Sequence, residues 1–267
     1  MKHRKHNKYK EDKMETIVVA NQKGGIGKTT TATALVSILE SKGKKALLID
    51  ADQQGNSTDT YKAEVEGAAT LYDVLLEEDR ISIEEAIQET ENGKIVASDP
   101  LLRKADEVLN NDVEGLYRLQ DALEELQGYD YVVIDTAPAM NSILHNCLIA
   151  ADQVIIPVTA DRYGLQGLAQ LNDTINAVKK RQNKNLKVAG LLLVKYNGRT
   201  LLGREVKESL EKIANEMDTK LFKTTIREST KAKEAQAMRK TLIKYAPNCT
   251  TALDYVDLVD ELLGGKE

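Results

Sequence analysis

Residues 17–30 read Ile17-Val-Val-Ala-Asn-Gln-Lys-Gly-Gly-Ile-Gly-Lys-Thr-Thr30, an apolar β-branched run, then a glycine-rich turn, then the start of an amphipathic stretch. A strand that turns sharply into a helix is the setting a phosphate-binding loop needs. Tetrahedral phosphate is held by backbone N–H groups that point inward, and glycines leave room for them. Gly24, Gly25 and Gly27 supply that freedom, with Ile26 between them, and the helix opening at Lys28-Thr29-Thr30 offers its positive dipole end. The Lys28 ammonium can reach β- and γ-phosphates, and the Thr29 hydroxyl can ligate Mg²⁺. The turn departs from the ordinary pattern G-x-x-x-x-G-K-[ST] because Gln22 holds the first glycine's place, and a second lysine, Lys23, opens the loop.

Outward from this turn, short β-branched runs alternate with longer amphipathic stretches, which predicts βα units around a mostly parallel twisted sheet with helices on both faces. Predicted strands are 16–20, 45–50, 94–97, 129–135, 153–158, 187–194 and 220–224. Predicted helices are 29–41, 70–77, 82–89, 113–127, 165–181, 201–217 and 250–263. Ser82 and Glu85 have capping-box spacing, and Gly43 and Gly128 stand where helix C-caps belong. No Gly/Ser- or Pro-rich linker interrupts the chain, so residues 15–267 read as a single α/β domain behind a basic flexible tail, residues 1–14.

Composition narrows the class. With 267 residues, 42% hydrophobic and 30% charged, the chain can bury a sizeable core, which argues against dominant disorder. Cys147 and Cys249 are too few and too distant to suggest a disulfide framework or a metal knuckle, and a reducing cytoplasm is the expected home. His3, His6 and His145 show no metal-ligand spacing. The longest apolar run, Val188–Val194, is far short of the roughly 20 residues that span a bilayer, and Ile17–Ala20 is too short for a secretory signal. The net charge of −5 conceals segregation: residues 45–135 carry 7 Lys+Arg against 23 Asp+Glu, whereas residues 181–244 carry 16 against 7. Such segregation reads either as solvated faces of different sign or as a polyanion-binding surface in the C-terminal third.

Three further segments extend the picture. Leu47-Leu-Ile-Asp-Ala-Asp-Gln-Gln-Gly-Asn-Ser-Thr58 ends a strand on two aspartates, and Tyr131-Val-Val-Ile-Asp-Thr-Ala-Pro138 ends another on Asp135. Ile156-Pro-Val-Thr-Ala-Asp-Arg-Tyr-Gly-Leu-Gln-Gly-Leu168 and Tyr196-Asn-Gly-Arg-Thr200 follow in order. Together with the loop these resemble the deviant-Walker ATPases of the ParA/MinD family, ParA branch, over nearly everything from Thr16 to Leu263. Two positions depart from the family pattern: Gln53 replaces a proline, and Ile226-Arg-Glu-Ser229 stands for an Ile-Pro-Arg-Asn-like segment.

The resemblance implies a P-loop NTPase that hydrolyses ATP with Mg²⁺. It gives Lys28 the β/γ-phosphates, Thr29 and Asp135 the metal and its water shell, and Asp50 a supporting place in that shell. It gives Asp52 the positioning of the hydrolytic water, and Lys23 a reach across an ATP-dependent homodimer to the partner's phosphates. Asn197, after an apolar strand, reads either as an adenine contact or as a turn-forming asparagine. Cys147 reads as a buried small apolar residue.

The output of such an ATPase is a separate question. The leading expectation is DNA partitioning: the ATP dimer binds double-stranded DNA without sequence preference, and a ParB-like centromere-binding protein stimulates hydrolysis. Arg199, Arg227, Lys231, Lys233 and Arg239 are the candidate phosphate contacts. The alternatives are a MinD-like membrane-cycling ATPase and positioning of a non-DNA cargo. The C-terminal stretch Asp254–Glu267 is amphipathic but acidic, which anionic lipid repels, so no membrane partner is expected. A metabolic, iron–sulfur-type relative needs cysteine pairs that this sequence lacks. About 15 residues precede the first strand, too few for a helix-turn-helix domain.

Overall fold

In the computed structural model, residues 14–76 and 79–264 are described. Residues 1–13 of the expected basic tail, with His3 and His6, lie outside the described residues. The strands are β1 (Glu15–Val19), β2 (Ala46–Ala51), β3 (Ile87–Thr90), β4 (Gly93–Val96), β5 (Tyr131–Thr136), β6 (Gln153–Thr159), β7 (Lys187–Tyr196) and β8 (Ile226–Arg227). They form one sheet in the order β3-β4-β2-β5-β1-β6-β7-β8. Every pairing is parallel except the β3–β4 hairpin.

Alternate strand residues feed opposite core layers, as the pleat requires. Val18, Leu47, Ile49, Val132 and Ile134 pack on one face against α3 (Leu71–Leu75), α5 (Arg118–Glu125), α6 (Ser142–Ala150) and α7 (Arg162–Arg181). Ile17, Val19, Leu48 and Val133 pack on the other against α1 (Lys28–Ser41) and α11 (Thr250–Leu262), which contribute Leu35, Leu39, Tyr255 and Leu258. This double coverage explains why the central strands read as continuous apolar runs. β1 lies at the middle of the sheet, so the turn that follows it emerges over the centre of the C-terminal edge.

The structure corrects several expectations. The Ser82–Glu85 capping box is formed, but it starts only a 3₁₀ turn, Ile83–Ala86, after which the chain extends as β3 rather than running as a helix to residue 89. Ile87–Thr90 gains a ladder with β4, and that long-range pairing overrides the local helical signal. The strand expected at 220–224 contributes a single bridge, Leu221 to Leu191, and β8 follows at Ile226–Arg227. The helix expected over 113–127 splits into a 3₁₀ turn, Gly115–Tyr117, and α5. Gly43 takes φ 80 and donates its N–H to Glu40 at the end of α1, as a C-cap should. Gly128, with φ 84, instead turns the chain into β5, since α5 ends earlier at Glu125. The short helices α2 (Asn56–Tyr61), α4 (Ala105–Asn110), α9 (Thr230–Ala237) and α10 (Leu242–Tyr245) are additions to the predicted set. α8 (Leu201–Glu216) follows its prediction closely.

Candidate functional site

Three strand ends converge beneath the glycine turn. Val19 pairs in register with Asp135, and Asp135 pairs with Asp50, so β1, β5 and β2 finish abreast. The turn is anchored at its start by Asn21, whose amide donates to the Pro157 carbonyl at 2.7 Å and accepts from the Lys23 N–H at 2.9 Å. Gly25 and Gly27 adopt φ 69 and φ 100, and a Cβ on either would strain the backbone although nothing lies within 4 Å of it. Gly27 caps α1 without any side-chain acceptor, which leaves first-turn N–H groups open to an anion.

Lys28 is 6% exposed, and its Nζ donates to the Lys23 carbonyl at 3.1 Å. Burial lowers its pKa, while the Asp135 and Asp52 carboxylates oppose that shift. Asp135 is fully buried: its Oδ2 accepts from Ser57 Oγ at 2.9 Å, and its Oδ1 has no hydrogen-bond partner among the described residues. Burial raises its carboxyl to about 6, with the Thr29 and Ser57 hydroxyls pulling the other way. An orphaned carboxylate oxygen beside a threonine hydroxyl, below an open anion cradle, fits a divalent cation.

Asp50, expected to support a metal shell, is fully buried and braces the loop that follows β2. Its Oδ1 accepts from the Asp52 N–H at 3.1 Å, and its Oδ2 accepts from the N–H and hydroxyl of Thr58 at 2.7 and 2.8 Å. The residue therefore fixes the 52–58 loop. Burial and the Asp135 charge raise its carboxyl to about 8. Within that loop Asp52 is 5% exposed and lines the cleft, with Oδ1 accepting from the Gln54 N–H at 3.0 Å. This Asx turn, closed by the Gly55 N–H on the Asp52 carbonyl at 2.8 Å, shapes the loop although Gln53 stands in place of a proline.

Lys23 is held within its own chain. Its Nζ donates to Thr159 Oγ1 at 3.0 Å and to both Asp161 carboxylate oxygens at 2.8 and 2.7 Å. Thr159 ends β6 and Asp161 precedes α7, and sequence reasoning singles out neither.

A cleft of about 470 Å³ opens over the turn. Its walls are residues 24–30 and Asp52 on one side, and Val194, Lys195, Ile226 to Ser229, Lys233 and Tyr255 on the other. Asn197 is not among the cleft residues: its Oδ1 accepts from the Arg199 N–H at 3.1 Å, forming the turn that leads into α8. Asn197 thus forms a turn, one of the two readings the sequence leaves open.

The candidate DNA contacts separate by their partners. Arg199 is exposed and Lys233 lies on the cleft wall. Arg227 grips Asp254 through Nε and Nη2 at 3.0 and 2.5 Å, Lys231 pairs with Glu234 at 2.7 Å, and Arg239 pairs with Asp59 at 3.0 Å. Cys147 is buried, which pushes its thiol up to about 12.

A family model described as an AAA domain matches residues 14–188. The sporulation initiation inhibitor protein Soj of Bacillus subtilis is 38% identical over 251 residues, covering 92% of this chain and 97% of that protein. The chromosome partitioning protein ParA of Caulobacter vibrioides is 33% identical, covering 94% of each. Among solved structures, the ATP complex of a McdA variant from Cyanothece superposes with a TM-score of 0.83 at 28% identity, over 95% of this chain and 98% of that one. Cobyrinic acid a,c-diamide synthase of Mycobacterium smegmatis, solved with ADP and magnesium, gives 0.80 at 28% identity over 94% of each chain. Since its likeness to Soj and ParA runs through nine-tenths of its length and a family model matches residues 14–188, this chain belongs to the ParA/Soj family of partitioning ATPases.

Proposed function

We propose that the protein binds ATP with Mg²⁺, pairs with a second copy in that state, holds double-stranded DNA without sequence preference, and is stimulated to hydrolyse by a ParB-like partner. The observation that carries the reading is the buried Asp135 Oδ1 left without a partner among the described residues beneath the open glycine turn, with Lys28 alongside. Asp135 and Thr29 would hold the metal ion, which supplies charge neutralisation to the transferring phosphoryl group. Lys28 turns from the Lys23 carbonyl to the β/γ-phosphates, and α1 contributes its N–H groups. Asp52, which lines the cleft beside the glycine turn, orients the attacking water. Lys23, once released from Asp161, is the residue suited to reach a neighbouring copy.

Two features favour DNA over a lipid surface as the second ligand. α11 buries Ala252, Tyr255, Leu258 and Val259 in the core, so its apolar face is already occupied. Arg199 stands exposed within the 181–244 stretch, which is rich in Lys and Arg. Among the described residues no helix is long and apolar enough to cross a membrane.

Fluorescence anisotropy of a random-sequence duplex without nucleotide, with ADP, with ATP and with a slowly hydrolysed ATP analogue tests the reading. Binding confined to ATP and the analogue, weakening steeply with salt, is the expected result. Absence of binding in every state removes DNA as the ligand and makes liposomes the next probe.

A further inference from the structure

Lys195 stands where β7 loses its register with β8, between Val194 and Tyr196. Its backbone has φ 52, a left-handed conformation that costs a non-glycine residue on the order of 1 kcal/mol. In return, Lys195 joins the cleft wall, and its Nζ donates to the Gly25 carbonyl of the phosphate-binding turn at 2.7 Å. Among the described residues this ammonium makes no ion pair. Arg227, on the same wall, is neutralised by Asp254. Lys195 therefore brings an uncompensated positive charge to the apex of an anion cradle, where it rests on a neutral carbonyl.

We propose that Lys195 is a second phosphate-binding cation of the site, which exchanges the Gly25 carbonyl for a phosphate oxygen of a bound nucleoside di- or triphosphate. The proposal rests on the nucleotide reading above. Lys28 serves the phosphates from the start of α1, whereas Lys195 serves them from the end of β7, so the anion is held from two elements. The left-handed residue is what aims the second cation; an extended backbone there would send successive side chains to opposite faces of the sheet.

The test is equilibrium titration of fluorescent N-methylanthraniloyl-ATP and -ADP, with Mg²⁺, into the full chain and its Lys195→Met, Lys195→Asn and Lys195→Arg variants. Asparagine tolerates the left-handed conformation, so it separates charge from strain and keeps the test valid if the methionine variant is destabilised. Loss of one charge-assisted contact predicts about tenfold weaker binding for Met and Asn, a shallower salt dependence for both, and an Arg variant within about threefold of the parent. Met and Asn variants that bind within about twofold of the parent overturn the proposal. So does an Arg variant as weak as Met, because that result assigns Lys195 to loop shape and not to charge. A parent chain that binds neither nucleotide is a different failure: it refutes the nucleotide reading itself and takes this proposal with it.

Discussion

Asp50 and Asp135 sit directly opposite one another on adjacent parallel strands, and neither exposes any surface. Two carboxyls in such a position cannot both ionise cheaply in a medium that lacks water. The chain answers with hydrogen bonds to three of their four oxygens, and leaves the fourth, Asp135 Oδ1, unsatisfied among the described residues.

This arrangement makes stability depend on pH with a definite sign. Both carboxyls titrate above the ordinary aspartate value, at about 8 and about 6, so the folded state holds its protons longer than the unfolded chain does. Their contribution is greatest below about pH 4, where unfolded aspartates protonate, and is lost as pH rises through the two folded values. The nucleotide-free protein is expected to melt at lower temperature near pH 8 than near pH 5 as far as these groups govern it, and Asp135→Asn should flatten that slope. Equal slopes in parent and variant would remove the pair as the source.

Lys28→Ala should abolish nucleotide binding, since Lys28 is 6% exposed at the foot of the glycine turn, within the field of the Asp135 and Asp52 carboxylates. Isothermal titration with ATP and Mg²⁺ is the measurement. Tight binding by the variant refutes the assignment of the turn.

Asp52→Ala should retain ATP but hydrolyse it at least about a hundredfold more slowly, the usual contribution of a positioned proton acceptor. Single-turnover kinetics separates this from a binding defect. Because Asp52 Oδ1 also shapes its own loop, Asp52→Asn provides a control that keeps the turn hydrogen bond.

Arg199→Glu and Arg227→Glu should behave differently although both reverse a charge in the same third of the chain. Arg199 is exposed, so its loss should weaken DNA binding and lower the salt slope by about 1 to 2 while leaving melting unchanged. Arg227 grips Asp254, which is 6% exposed, so its reversal should lower the melting temperature first. Identical behaviour of the two variants contradicts this division.

Gly190→Ala tests the packing of β7. A Cβ there would meet the Phe222 ring at 2.7 Å and the Lys220 carbonyl at 3.0 Å. Overpacking of this kind costs about 1 to 3 kcal/mol, to be read from denaturant unfolding.

Much of this molecule is legible in the sequence because its signals are local. The glycine turn, the strand it ends and the helix it starts are contiguous in sequence, and so is the spacing that places Asp52 and Asp135 at strand ends. What cannot be read depends on contacts between distant segments. Residues 87–89 carry a helical pattern and become part of a strand only because β4 is there to pair with them. The Asp161 grip on Lys23 joins residues 138 positions apart, and no local spacing encodes it. Asp50 ends a strand as Asp135 does, but its hydrogen bonds from Thr58 and the Asp52 N–H become visible only in the fold. Charge counting finds a basic third but cannot show that Arg227, Lys231 and Arg239 already have acidic neighbours.

The central place of β1 has a consequence for how motion is distributed. Its backbone is bonded to β5 on one edge and β6 on the other, and Thr136 Oγ1 donates to the Val19 carbonyl at its end. Amides of β1 should therefore be among the slowest in the chain to exchange with deuterium, yet five residues later Gly24 and Gly25 lie exposed. Exchange should therefore change from slow to fast within a few residues, between the end of β1 and the glycine turn. The turn is thus an exposed rim mounted on a strand enclosed at the middle of the sheet, tied back to β6 through the Asn21 amide and the Pro157 carbonyl.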